Sequence, residues 1–172
     1  MANPQRIYWD ACAWIAYIAK ETSIPLKGGG NENRFAMCEA VLKGAREGKY
    51  EIVTSCFTLA EVCKSGEVKS SPVDNLPAFF EHTYILTVPV DLALGRHAQN
   101  MQASGLVALK PPDAIHLASA LRARVDQINT FDADILKLDG TIPGRDGKPL
   151  KIVKPGGDTS PMPLFGKDND EE

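Results

Sequence analysis

Two rhythms of hydrophobic and polar positions alternate along the chain: short apolar runs, and longer stretches whose apolar side chains recur three or four positions apart. Arg6-Ile7-Tyr8-Trp9 reads as a buried strand with Asp10 directly after it. Aspartate is a favoured helix N-cap, and residues 11–20 are helix-forming, with Trp14, Ile15 and Ile18 at helical spacing. The pattern lapses over 21–33, where Pro25 and Gly28-Gly29-Gly30 predict a loop. Lys27 beside those glycines does not make a phosphate loop, because the order is wrong for GxxxxGK[ST] and no strand precedes it. Asn33 opens a helix to about Gly48, with Phe35, Cys38, Val41, Leu42 and Ala45 on one face and Gly48 as its stop. A strand at 51–54 and a helix at 55–65 carrying Glu61 come next, then a polar loop at 66–75. A short helix at 76–82 precedes a strand at 84–88, and a helix over 91–104 ends at Gly105. Pro111 begins another helix, 127–130 is a strand, Asp132-Ala133-Asp134 is an acidic turn, and Lys151-Ile152-Val153 is a last edge strand.

Strands alternating with helices predict an α/β fold, a three-layer αβα sandwich with a central parallel β-sheet. At 172 residues this is one domain, assigned to 1–154, followed by an acidic, Pro- and Gly-rich tail at 155–172 that is expected to be mobile. Within the tail, the apolar island Pro161-Met162-Pro163-Leu164-Phe165 is the part suited to docking. Composition adds exclusions. The balance of 44% hydrophobic and 24% charged residues is that of a soluble globular protein, and no stretch of about 20 apolar residues offers a membrane span. The N-terminus lacks a small-residue cleavage pattern, so a cytoplasmic location is expected. Cys12, Cys38, Cys56 and Cys63 form no CxxC pair and the histidines are scattered; this argues against structural zinc and disulfides and for buried free thiols. The net charge of −3 is uneven: from Pro155 onward five acidic residues face one lysine, leaving the body with 18 basic and 17 acidic residues. Such a body is compatible with a polyanionic ligand.

Candidate chemistry lies in the carboxylates. Ligands of open parallel α/β sheets bind at the carboxyl ends of the strands. Asp10 follows the first strand and Asp132 follows the strand at 127–130; Asp113 opens the helix feeding that strand, and Glu61 lies on the helix after the second strand. Clustered carboxylates raise one another's pKa values or require a cation, and no Lys or Arg is adjacent in sequence to Asp10, Asp113 or Asp132. All-oxygen ligands favour Mg²⁺ or Mn²⁺, which suit phosphodiester hydrolysis. Thr130, two residues before Asp132, supplies an orienting hydroxyl.

Tyr8-Trp9-Asp10-Ala11-Cys12, Thr58-Leu59-Ala60-Glu61-Val62, Pro112-Asp113-Ala114-Ile115-His116-Leu117-Ala118 and Thr130-Phe131-Asp132-Ala133-Asp134 resemble, in order, the four acidic motifs of PIN-domain ribonucleases. The resemblance covers about residues 6–140. It implies the PIN fold and Mg²⁺- or Mn²⁺-dependent cleavage of RNA, with Asp10, Glu61, Asp113 and Asp132 as catalytic, metal-binding residues. Asp134 matches a position that only sometimes joins the site. Many small bacterial members are VapC-type toxins, homodimeric and neutralised by a small antitoxin. The Gly-rich stretch at 22–33 and the tail are additions to a minimal toxin of this kind.

Blander roles compete. Asp10 and Asp113 are placed to cap helices, Glu61 to sit on a solvated helix face, and Asp132 and Asp134 to serve a turn. His116, one helical turn past Asp113, is expected to be packed and hydrogen-bonded rather than a ligand. Trp14 and Tyr17 are expected in the core, and Arg34, Lys43, Arg46 and Lys49 on a solvated helix face. Two other functions fit less well: a non-catalytic PIN-fold binding or scaffold module, and a phosphatase with Asp10 as nucleophile. The second usually has a DxD pair, whereas Ala11 and Cys12 follow Asp10 here.

Overall fold

β1 (Gln5–Trp9) is the middle strand of a five-stranded sheet, and its alternation explains the layers. Ile7 and Trp9 face one core with Trp14, Val41 and Leu42, while Tyr8 faces a second with Leu94, Leu117 and Ile128. The computed structural model describes residues 4–70, 76–105 and 109–157. After β1 come α1 (Ala11–Ile18), the short strands β2 (Ile24–Pro25) and β3 (Asn31–Glu32), and α2 (Arg34–Arg46). Next are β4 (Tyr50–Ser55), α3 (Cys56–Glu61), a 3₁₀ turn (Val62–Lys64) and α4 (Gly66–Ser70). A second 3₁₀ turn (Leu76–Phe80) leads to β5 (Ile85–Val88), α5 (Leu92–Ala103), α6 (Pro111–Arg122) and β6 (Gln127–Asn129). The chain continues with α7 (Ala133–Leu136), a 3₁₀ turn (Arg145–Gly147) and β7 (Lys151–Val153).

The sheet order is β5-β4-β1-β6-β7, and every pairing in it is parallel. Helices α1 and α2 cover one face and α5 and α6 the other, which is the expected three-layer sandwich. The chain moves outward from β1 to β4 and β5, then returns to place β6 on β1's other side. The switch point therefore lies at the carboxyl end of β1, where Asp10 is.

Several local expectations are revised. The loop predicted over 21–33 contains an antiparallel hairpin, β2 with β3, closed by Leu26 N–H to Gly30 C=O at 3.0 Å. Gly29 (φ +90°) and Gly30 (φ +80°) supply the left-handed backbone of its turn. Residues 66–70 are helical rather than loop: Ser65 Oγ accepts from Val68 N–H at 3.3 Å, and Val68 is buried. The helix expected over 55–65 tightens into a 3₁₀ turn after Glu61. Of the four thiols only Cys38 is buried; Cys12 and Cys56 are exposed, because they lie at helix starts at the sheet edge rather than within a core-facing stripe. Trp14 is core, and Tyr17 is half-buried and stacked on Phe35 with centroids 5.6 Å apart. The tail beyond Gly157, including its Pro161–Phe165 island, and the loop end at 71–75 lie outside the described residues.

Candidate active site

Asp10 ends β1 as the N-cap of α1. Its Oδ1 accepts from Ala13 N–H at 3.0 Å, and its Oδ2 accepts from the Thr130 hydroxyl at 2.5 Å. Only 2% of Asp10 is exposed. Thr130, fully buried, follows β6; its Oγ1 also accepts from Asp132 N–H at 2.9 Å. One hydroxyl thus ties the ends of two neighbouring strands together. Asp132 caps α7 through Oδ1, which accepts from Asp134 N–H at 2.7 Å and Ile135 N–H at 3.2 Å. Its Oδ2 has no partner among the described residues.

The other two carboxylates come from helices. Asp113 is not a cap: Lys110 is the N-cap position of α6, Pro111 and Pro112 open the helix, and Asp113 stands in its first turn. There the unpaired N–H groups favour negative charge. Glu61 ends α3, with Oε1 2.6 Å from Lys64 Nζ and Oε2 2.7 Å from His116 Nε2.

These environments differ in electrostatics. Burial raises the Asp10 carboxyl above its ordinary value; His116, Thr130 and Ala13 oppose the shift and Asp132 adds to it. Burial, then the charge of Asp132, raises Asp113 against the opposing Lys110 and His116. For Glu61 burial pushes upward, but the bonds from His116 and Lys64 outweigh it and the net shift is down. At the rim, the protein crowding Cys12's sulfur and the charges of Asp10, Asp132 and Glu61 push its thiol up. The carboxylates thus share one region, although among the described residues no three His, Cys, Asp or Glu groups form a ready-made metal cluster.

The family model for the PIN domain matches residues 7–141. The chain belongs to the PIN domain family. Its fold is similar to that of the VapC20 toxin of Mycobacterium tuberculosis, described as a sarcin-ricin loop cleaving toxin, with a TM-score of 0.51. The two share 17% sequence identity over 74% of this chain and 91% of that one, so the likeness concerns fold alone. No curated protein matches the chain.

The donor chemistry of this PIN domain fits a hard divalent cation. Asp10, Asp113 and Asp132 supply only oxygens, and none forms a Lys or Arg ion pair among the described residues. Two of them carry raised pKa values, the condition a bound cation relieves. Asp134 belongs elsewhere: it is exposed and pairs with Lys137 at 2.9 Å and Lys110 at 3.7 Å, which lower its carboxyl. His116 is packed as expected, yet one of its partners is Glu61. Arg34 departs from the expected solvated face. It is half-buried, bonded to Glu32 at 3.0 Å and Glu21 at 3.4 Å, with its guanidinium 4.8 Å from the Phe131 ring centroid.

Proposed function

We propose that this PIN domain is a metal-dependent endoribonuclease that hydrolyses RNA phosphodiester bonds, with Asp10, Glu61, Asp113 and Asp132 as its catalytic set and Mg²⁺ or Mn²⁺ as cofactor. The observation carrying this reading is the Asp10–Thr130–Asp132 linkage at the carboxyl edge of the sheet, with under-neutralised carboxylates around it. Asp10 and Asp113 would hold the principal ion, and Asp132 would offer its free Oδ2 beside them. Both Glu61 oxygens are engaged, so Glu61 acts at the periphery of that set. A divalent ion held there would supply Lewis acidity, the property that lowers the pKa of water and stabilises charge on phosphoryl oxygens. The chain's own work is positional. Thr130 fixes the Asp10 carboxylate, and the first turn of α6 presents Asp113.

The order of the four acidic motifs, which resembles that of VapC-type toxins, extends the proposal to the toxin of a toxin–antitoxin pair, acting in the cytoplasm and held in check by a small antitoxin. Leu86, Val90 and Leu92, exposed in and just after edge strand β5, support a homodimer. No helix among the described residues is long and apolar enough to cross a membrane.

Two observations favour a second reading, a non-catalytic PIN-fold scaffold: Glu61 is closed by Lys64 and His116, and no ready-made metal cluster is present among the described residues. Cleavage of single-stranded and structured RNA by the purified chain, with Mn²⁺ and with chelator, separates the two. The nuclease reading expects metal-dependent cleavage that Asp113→Asn lowers by about a thousandfold, consistent with the several kcal/mol that Lewis-acid stabilisation provides. No cleavage by the wild-type chain would favour the scaffold, and equal cleavage by the variant would remove Asp113 from the catalytic set.

A further inference from the structure

His116 is 4% exposed and lies one helical turn beyond Asp113, with both ring nitrogens engaged. Nδ1 is 2.8 Å from the Tyr8 hydroxyl, and Nε2 is 2.7 Å from Glu61 Oε2. The ring meets the edges of Tyr8 and Phe57, each with centroids 5.9 Å away. Tyr8 is fully buried in β1, and Phe57 belongs to α3, the same short helix that ends in Glu61. The imidazole therefore bridges the central strand, the Asp113 helix and the Glu61 helix.

The Glu61 carboxylate can only accept, so Nε2 carries a proton and donates it to Oε2, while the Tyr8 hydroxyl, which can donate or accept, occupies Nδ1. Glu61 also feels an opposite pull: Lys64, itself mostly exposed, holds Oε1 toward solvent. The helix tightens into a 3₁₀ turn at that point, so its backbone does little to fix the Glu61 rotamer. His116 alone anchors the inner oxygen among the described residues.

We propose that His116 is a positioning residue: it holds Glu61 inward, toward Asp10 and Asp113, against Lys64, with Tyr8 fixing the orientation of its ring through Nδ1. The proposal rests on the nuclease reading above. It assigns the Tyr8–His116–Glu61 chain the task that Thr130 performs for Asp10. Groups that orient a site's carboxylates through a hydrogen bond typically matter about 10–100-fold in metal affinity or activity.

The test has two arms. In the first, ¹⁵N NMR of the histidine rings in the apo chain reads the proton directly. The proposal expects His116 to be protonated at Nε2, with a slowly exchanging proton that is lost in Glu61→Ala; an unprotonated Nε2, or a signal indifferent to Glu61→Ala, would overturn it. In the second, His116→Ala, His116→Gln and Tyr8→Phe are compared with the wild-type chain for melting temperature, Mn²⁺ affinity, and kcat and KM on RNA. Glutamine places an N–H donor near the position of Nε2. A drop in kcat of about tenfold or more in His116→Ala, with KM unchanged and activity largely restored in His116→Gln, is the expected pattern. Tyr8→Phe should fall between. If His116→Ala matches the wild type, or His116→Gln is as impaired as alanine while still folded, the proposal fails and the nuclease reading stands. If the wild-type chain neither binds Mn²⁺ nor cleaves RNA, the nuclease reading fails and takes the positioning role with it.

Discussion

The two halves of the acidic site are built differently. Asp10 and Asp132 stand at the ends of neighbouring strands, and one buried threonine hydroxyl fastens them together. Glu61 and Asp113 come from helices, and Glu61 depends on two side chains, Lys64 and His116, that pull on different oxygens. Parallel strand ends are fixed by the sheet ladder on both sides, whereas the last turn of a six-residue helix is fixed by whatever side chains reach it. The strand-borne half is therefore pre-organised, and the helix-borne half is adjustable.

The largest expected effect tests the strand-borne half. Asp10→Asn should lose about a thousandfold in metal-dependent RNA cleavage while keeping the fold, because asparagine also caps helices. Its stability carries a sign. The folded Asp10 carboxyl is raised, so its contribution is fully present below the unfolded pKa and is lost as pH rises through the folded pKa. Melting curves in chelator should show Asp10→Asn gaining on the wild type as pH rises, by about 2–4 °C for each kcal/mol of relief, with the gap closing on acidification. A gap that widens on acidification would contradict the burial argument. Glu61→Gln, on the adjustable half, should cost less, about 10–100-fold in kcat, because Glu61 acts from the periphery. A loss equal to that of Asp10→Asn would erase the contrast between the halves.

Thr130→Val tests the fastening itself. It leaves the buried Asp10 Oδ2 without its donor, at a cost of about 1–3 kcal/mol, and the part-buried Asp132 N–H without its acceptor, at less. Thermal unfolding should show it, and unchanged stability would remove the hydroxyl from the account. The smallest effect concerns the hairpin. Glu32 joins Arg34 and Lys154, and although burial pushes its carboxyl upward, the bonds from Lys154 and Arg34 bring it down on balance. Such stabilisation is present above the unfolded pKa and lost as pH falls through the folded one. The melting-temperature gap between the wild type and Glu32→Gln should therefore shrink on acidification, from a contribution of at most about 1 kcal/mol.

Much of this arrangement was legible in the sequence where local chemistry and tertiary structure agree. The alternation of Ile7, Tyr8 and Trp9 placed β1 with a core on each face, and Asp10 followed it as a cap. The acidic motifs fall in family order, and Thr130, two residues before Asp132, is the hydroxyl that meets Asp10. What escaped the sequence depends on long-range pairing. Nothing near Glu61 in the chain signals His116, which lies 55 residues away. Arg34 looked like part of a solvated face because its partners, Glu21 and Glu32, are brought to it by a hairpin that Pro25 and three glycines disguise as a loop. Asp113 read as a possible cap because Pro111 and Pro112 shift the helix start back to Lys110.

If these carboxylates hold a divalent ion, calorimetric titration of the chelator-stripped chain with Mn²⁺ will register it. Saturable binding is expected in the wild type, weakened by about tenfold or more in Asp10→Asn and Asp113→Asn, with both variants folded. Absence of binding at millimolar Mn²⁺, or equal binding by all three proteins, would contradict a metal site at these carboxylates.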